Sequence, residues 1–152
     1  MIDTWAIVEV SRLGFDYCFV CGENNPHGLH IHFEKDGDGV VGYFHTEPHH
    51  MGWPNVQHGG ITSSLLDEAS AYVPLHLGLV TVTAELNIAF KKPIRVGERV
   101  RIEAHPTKIS SRLLLVDAKI TGEDGEEKAS SKAKMIVLTK AQKEELGIGE
   151  LS

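Results

Sequence analysis

Only one segment ahead of the C-terminus, residues 58–77, carries the pattern of a long helix, and strand-like segments flank it on both sides. Ile61, Leu65, Ala69 and Tyr72 fall on one helical stripe, which Leu66 and Val73 widen. Thr62, Ser63, Ser64, Ser70 and Ala71 are small enough to let a sheet come close. Pro74 predicts a disturbed last turn, and Gly78 its end. Before this helix, residues 29–34 and 40–46 read as two strands around the turn Asp36-Gly37-Asp38-Gly39. After it, residues 80–90 alternate, with Val80, Val82, Ala84, Leu86, Ile88 and Phe90 on one face. Residues 99–108, 112–121 and 128–138 give three more strands, the last two joined at Glu123-Asp124-Gly125-Glu126. Residues 14–28 read as a structured loop, residues 140–146 as a short polar helix, and residues 5–13 as a short helix or an edge strand. Two strands, one long helix and four strands predict an α+β fold in which an antiparallel sheet wraps one central helix. A single helix leaves the sheet with open edges, so dimerisation by sheet extension is expected.

A length of 152 residues predicts one domain over 1–152, and 41% hydrophobic with 24% charged residues is an ordinary globular balance. The net charge of −6 argues against nucleic acid as the main partner. No apolar run is long enough to span a bilayer, so no membrane partner is expected. Met1-Ile2-Asp3-Thr4-Trp5 lacks the basic start and apolar core of a signal peptide, which makes the cytoplasm the expected compartment.

The chemistry concentrates at Gln57-His58-Gly59-Gly60 and the helix that follows. The first N–H groups of a helix have no intrahelical partner, so Gly59 and Gly60 stand where a developing oxyanion can be held. About two turns further, Asp67 and Glu68 offer a base or nucleophile. Asp67 lies among Ser63, Ser64, Ser70 and Ala71 rather than on a charged face, and an unpaired carboxylate there would be costly to bury. Glu68, about 100° round the helix, reads as its structural neighbour. His58 is a candidate for proton transfer, or a helix-start residue satisfied by the backbone.

Several motifs together resemble the hotdog-fold acyl-CoA thioesterases of the 4-hydroxybenzoyl-CoA thioesterase superfamily, in particular the phenylacetate-pathway type. They are Cys21-Gly22 with Asn25-Pro26-His27-Gly28-Leu29, the run from Gly52-Trp53-Pro54-Asn55 to His58-Gly59-Gly60, Leu65-Leu66-Asp67-Glu68-Ala69, and Asn87 to Pro93 leading to Gly97-Glu98. The resemblance spans about residues 18–138 in order and spacing. It implies hydrolysis of an acyl- or aryl-CoA thioester without a metal or other cofactor. By resemblance, the Gly59 N–H would polarise the thioester carbonyl, Asp67 would attack it or activate water, and Thr83 would position that water. Relatives often carry Asn six residues before the His; here that place is Gly52, with Asn55 three before. The alternatives are a non-catalytic acyl-CoA-binding hotdog module and a hotdog dehydratase.

Gly59 and Asp67 are eight residues apart, about 12 Å along a helix axis, while reacting atoms must approach to ~3 Å. A site completed by a second chain relieves this, as the dimer of the resembled family does. A homodimer is therefore expected, and a dimer of dimers remains open. Gly60, Asn55 and Glu68 are further candidates for contact with substrate. Lys91, Lys92 and Arg95, with Arg99 and Arg101, gather positive charge suited to the phosphates of coenzyme A. Cys18 and Cys21 form a single Cys-x-x-Cys pair, short of the four ligands of structural zinc unless His27, His30, His32, His49 or His50 completes it. No metal site is predicted.

Overall fold

The structure is a computed structural model and describes residues 15–149. The prediction for residues 5–13 lies outside the described residues. Phe33–Asp36 (β1) and Gly39–His45 (β2) form a hairpin whose tight turn contains Gly37 at φ 62°. A short 3-10 turn, Pro48–His50, leads to the long helix Gly59–His76 (α1). Thr81–Phe90 (β3), Arg99–Ile109 (β4), Leu113–Thr121 (β5) and Glu127–Val137 (β6) follow, and Lys140–Leu146 (α2) closes the described chain. The six strands make one sheet in the order β1-β2-β4-β5-β6-β3, antiparallel at every pairing.

Helix α1 packs against all six strands. Leu65, Leu66, Ala69 and Val73 from the predicted stripe are buried against Val100, Ile102, Leu114, Val116, Ile120 and Met135 of the sheet. Ile61, expected on the same stripe, is only half-buried. Ser63, Ser64 and Ser70 donate to the carbonyls of Gly59, Gly60 and Leu66, so all three turn back onto their own helix. Pro74 sits inside the final turn, which ends at Leu77 with Gly78 at φ 80°.

Two expectations are corrected. The strand expected over 29–34 begins only at Phe33. His30 takes φ 55°, and the N–H groups of Leu29 and Ile31 donate to the carbonyls of Phe19 and Val20, which ties this stretch to the preceding loop. Strand β3 also fails to keep one face inward. A register shift between Thr83 and Glu85 inserts a bulge at Ala84, and a bulge switches which residues face the partner layer. Before it, Thr83 reaches α1; beyond it, Leu86 and Ile88 pack on the core. Val82 and Phe90 are left 43% and 62% exposed. Among the described residues, strand β3 pairs only with β6, so its ten residues form an edge of the sheet.

Candidate active site

The start of α1 is held by a buried polar chain. Thr46 Oγ1 donates to Gln57 Oε1 at 2.7 Å, Gln57 Nε2 donates to Thr62 Oγ1 at 2.8 Å, and the Gln57 N–H reaches the Ile94 carbonyl at 2.8 Å. These bonds fix the chain from both sides immediately before the first helical residue. His58 is the N-cap: its Nδ1 accepts the Gly60 N–H at 2.7 Å. That bond occupies the Gly60 donor and commits the His58 ring. The Gly59 N–H has no partner among the described residues and stands at the positive end of the helix. Gly59 lies in a cavity with Trp53, Phe90, Lys91, Lys92 and Pro93. Of the two glycines, Gly59 is the one with a donor to offer.

Two turns along α1, the helix and β3 bring a carboxylate and a hydroxyl together. Thr83 Oγ1 donates to Asp67 Oδ1 at 2.6 Å. Asp67 is half-buried. One carboxylate oxygen is engaged by Thr83, and no hydrogen bond claims the other among the described residues. The pair lines an apolar cavity of about 230 Å³ that Tyr72, Leu75, Leu79 and Val80 also wall. Gly59 does not line this cavity; within one chain the Gly59 N–H and the Asp67 carboxylate border separate cavities.

The model of the thioesterase superfamily matches residues 55–129, which run from the turn before α1 into β6 and so include Gly59, Asp67 and Thr83. The chain belongs to the thioesterase superfamily. Acyl-coenzyme A thioesterase THEM4 of Rattus norvegicus is 30% identical over 112 residues, covering 74% of this chain and 43% of that protein. A protein of Schizosaccharomyces pombe, C26H8.11c, is 33% identical over 81 residues, covering 52% of this chain and 46% of its own. The chain spans only about half of the length of the curated relatives it matches. Among solved structures, a hypothetical thioesterase protein of Streptococcus pneumoniae with coenzyme A superposes with a TM-score of 0.69 at 24% identity. The match covers 80% of this chain and 91% of that one, and the sheet wrapped on one helix is the hotdog fold. Two further structures of the streptococcal protein carry alanine in place of an aspartate and of a threonine.

The remaining candidates of this thioesterase-superfamily chain are dispersed. Asn55 takes φ 64°, and its carbonyl accepts the Val96 N–H at 3.0 Å, so its backbone shapes the turn before α1. It does not line the Gly59 cavity. Lys91 and Lys92 do, each paired with a carboxylate beside the β5–β6 turn, Glu127 and Glu126 respectively. Arg95 stands apart from that cavity, with its backbone N–H on Glu98. Arg99 lies over the Tyr43 ring at 4.7 Å, and Arg101 pairs with Glu103, so the predicted basic group divides into separately partnered charges.

Glu68 points to a partner fifty residues away in sequence. The Cys18 thiol donates to Glu68 Oε2 at 3.2 Å, and Cys21 lies against both. Burial, and then the charge on Cys18, push the Glu68 carboxyl up to about 8. The Cys21 thiol and the N–H groups of Cys21 and Val20 hold Cys18 down at about 5, against burial. Its hydrogen bond to Cys18 and then burial raise Cys21, and burial raises Tyr72. The histidines considered as further metal ligands are elsewhere: His32 pairs with Glu23, His30 bonds the Asn25 carbonyl, and His49 stacks on His50. A Cys-x-x-Cys pair was visible in the sequence, but nothing in the spacing announced Glu68, fifty residues away.

Proposed function

We propose that this chain hydrolyses an acyl- or aryl-coenzyme A thioester, with Asp67 as the base or nucleophile and the Gly59 N–H as oxyanion donor. The observation that carries the reading is the 2.6 Å bond from Thr83 to Asp67 at the wall of an apolar cavity. Thr83 orients the carboxylate through Oδ1 and leaves Oδ2 to take a proton from water. The water oxygen then bonds to the thioester carbon, negative charge grows on the carbonyl oxygen at the Gly59 N–H, and the C–S bond breaks. The coenzyme A thiolate leaves and is protonated. Lys91 and Lys92 border the Gly59 cavity and can exchange their glutamate partners for phosphate oxygens.

Within one chain Asp67 and Gly59 face separate cavities. We assign the complete site to a homodimer in the cytoplasm, each centre taking Gly59 from one protomer and Asp67 with Thr83 from the other. The β3 edge of the sheet is the surface on which two sheets can join.

Asp67→Asn keeps the shape of the side chain and removes the base. Hydrolysis across a thioester panel is expected to fall by about 10²–10⁴, with the circular dichroism spectrum unchanged. A folded variant with full activity would sink the assignment, as would a wild-type chain that binds coenzyme A and hydrolyses nothing. Co-expressing Asp67→Asn with a variant lacking the Gly59 donor tests the shared site. Random pairing gives each mixed dimer one intact centre, so about a quarter of wild-type activity should return; none returns if each chain holds a whole site.

A further inference from the structure

We propose that Cys18, Cys21 and Glu68 form a binding site for a zinc-class divalent cation, with two thiolates and one carboxylate as ligands and the fourth position open to the cavity beside Asp67. The two sulfurs and a carboxylate oxygen all lie within 4.8 Å of one another. Tetrahedral zinc, with bonds of about 2.3 Å to sulfur and about 2.0–2.2 Å to oxygen, sets its ligand atoms roughly 3.5–3.8 Å apart. Cys18 Sγ and Glu68 Oε2 already approach to 3.2 Å. Closing the remaining separations takes about 1 Å of side-chain adjustment. Two soft sulfurs with one carboxylate favour zinc over magnesium or calcium, which take oxygen ligands.

The scaffold around these atoms is preorganised. The Gly22 N–H donates to the Cys18 carbonyl at 2.9 Å, and the Cys18 N–H to the Phe15 carbonyl at 3.0 Å. A Cβ on Gly22 would stand 2.3 Å from the Cys18 nitrogen and 2.7 Å from the Asp16 carbonyl oxygen, so the turn carrying both cysteines closes only around glycine. Asn24 clamps the same turn through its backbone N–H and its Nδ2, both on Asp16. Metal-ligating thiolates need this kind of outer-shell support. Glu68 arrives from the middle of α1, so the cation would tie the 15–31 loop to the helix.

All three ligand side chains line the cavity that Asp67 and Thr83 share. Three protein ligands and an open vertex are the arrangement of a metal that meets water or a cavity occupant. The cation would therefore shape the wall against which the acyl group of the proposed substrate lies.

The test is elemental analysis of the full chain, purified without chelator under reducing conditions, with cobalt(II) titration of the metal-stripped protein. About one zinc per chain is expected, together with a cobalt spectrum showing a sulfur-to-cobalt charge-transfer band and intense tetrahedral bands that zinc abolishes. The exposed histidines cannot produce the sulfur band. Cys18→Ser and Cys21→Ser should each weaken it and lower the zinc content. Glu68→Gln, the mildest change to the fold, should weaken cobalt binding at least tenfold, the minimum typical of losing even an outer-shell partner. Three results would each overturn the site: no sulfur band with zinc left unbound after incubation, a Cys18–Cys21 disulfide persisting under reduction, or unchanged affinity in folded Glu68→Gln. These readouts do not involve thioester hydrolysis, so a chain that binds zinc without hydrolysing any thioester counts against the proposed function alone.

Discussion

The first turn of α1 and its third turn carry two halves of one proposed chemistry, yet they are made of different materials. At Gly59 the functional group is a backbone N–H, and the side chains that fix it come from a short stretch around Thr46, Gln57 and Thr62, locked in a buried chain of hydrogen bonds. At Asp67 the functional group is a side chain, and its partner Thr83 comes from another element and depends on a β-bulge for its direction. The first half is held by buried bonds within residues 46–62 and by one to the Ile94 carbonyl. The second is assembled across the fold, where small shifts of strand against helix are felt directly.

After Asp67→Asn, the largest expected effect separates the two halves at the donor itself. Gly59 is the first residue of α1, where proline is well tolerated, and His58 already holds the extended conformation (φ −60°, ψ 137°) that a following proline demands. A Cβ there would meet only the Phe90 ring, at 3.6 Å. Gly59→Pro should therefore delete one N–H without unfolding the helix, and kcat should drop by about 10²–10³. Gly59→Ala, which keeps the N–H, should stay near wild type; equal losses in both variants would show that space and not the donor matters.

Thr83→Val probes the other half. Removing a hydrogen bond to a charged group costs about 1.5–3 kcal/mol, so kcat/KM should fall by roughly 10–100-fold with little change in melting temperature. A fall in stability with intact kinetics would make the Thr83–Asp67 bond a structural brace.

Gln57→Leu should act in the opposite sense, on stability first. It leaves the buried Thr46 and Thr62 hydroxyls without their partner, a loss of about 1–3 kcal/mol and several degrees of melting temperature. Activity should decline less than in Gly59→Pro, because the donor is loosened and not removed.

The smallest effect is a pH dependence near the same end of the helix. Burial holds the His50 pKa below its ordinary 6.5, and its Nδ1 accepts the Glu47 N–H at 2.9 Å, which requires the neutral ring. As pH falls below about 6.5, the unfolded chain takes up the proton first. Stability from this group is complete above that value and is lost as pH falls toward the folded pKa. Denaturation curves at pH 7.5 and 5.5 should show a decline that shrinks in His50→Gln by up to about 1 kcal/mol.

Much of this architecture was open to reading because its signals are local. The long helix appeared at Gly59–His76, within a residue of the expected bounds, since apolar spacing, a capping position and a closing glycine are neighbours in sequence. The 36–39 turn, the β5–β6 hairpin and the polar α2 followed for the same reason. Residues 29–34 misled because alternation alone cannot report that Leu29 and Ile31 give their N–H groups to the Cys18–Cys21 loop. The inward face of β3 misled because a bulge breaks the two-residue period from within.

By itself, the sequence determined that one long helix is wrapped by an antiparallel sheet, and that two glycines open this helix with an acidic pair, Asp67 and Glu68, two turns inside it. Tertiary structure decided the rest: that His58 occupies the Gly60 donor and leaves Gly59 free, that Thr83 holds Asp67, and that Glu68 turns to Cys18. The division has a physical cause. Helix propensity, capping and turns act over a few residues, whereas a hydrogen bond spanning fifty residues, such as that from Cys18 to Glu68, exists only once packing has fixed both ends.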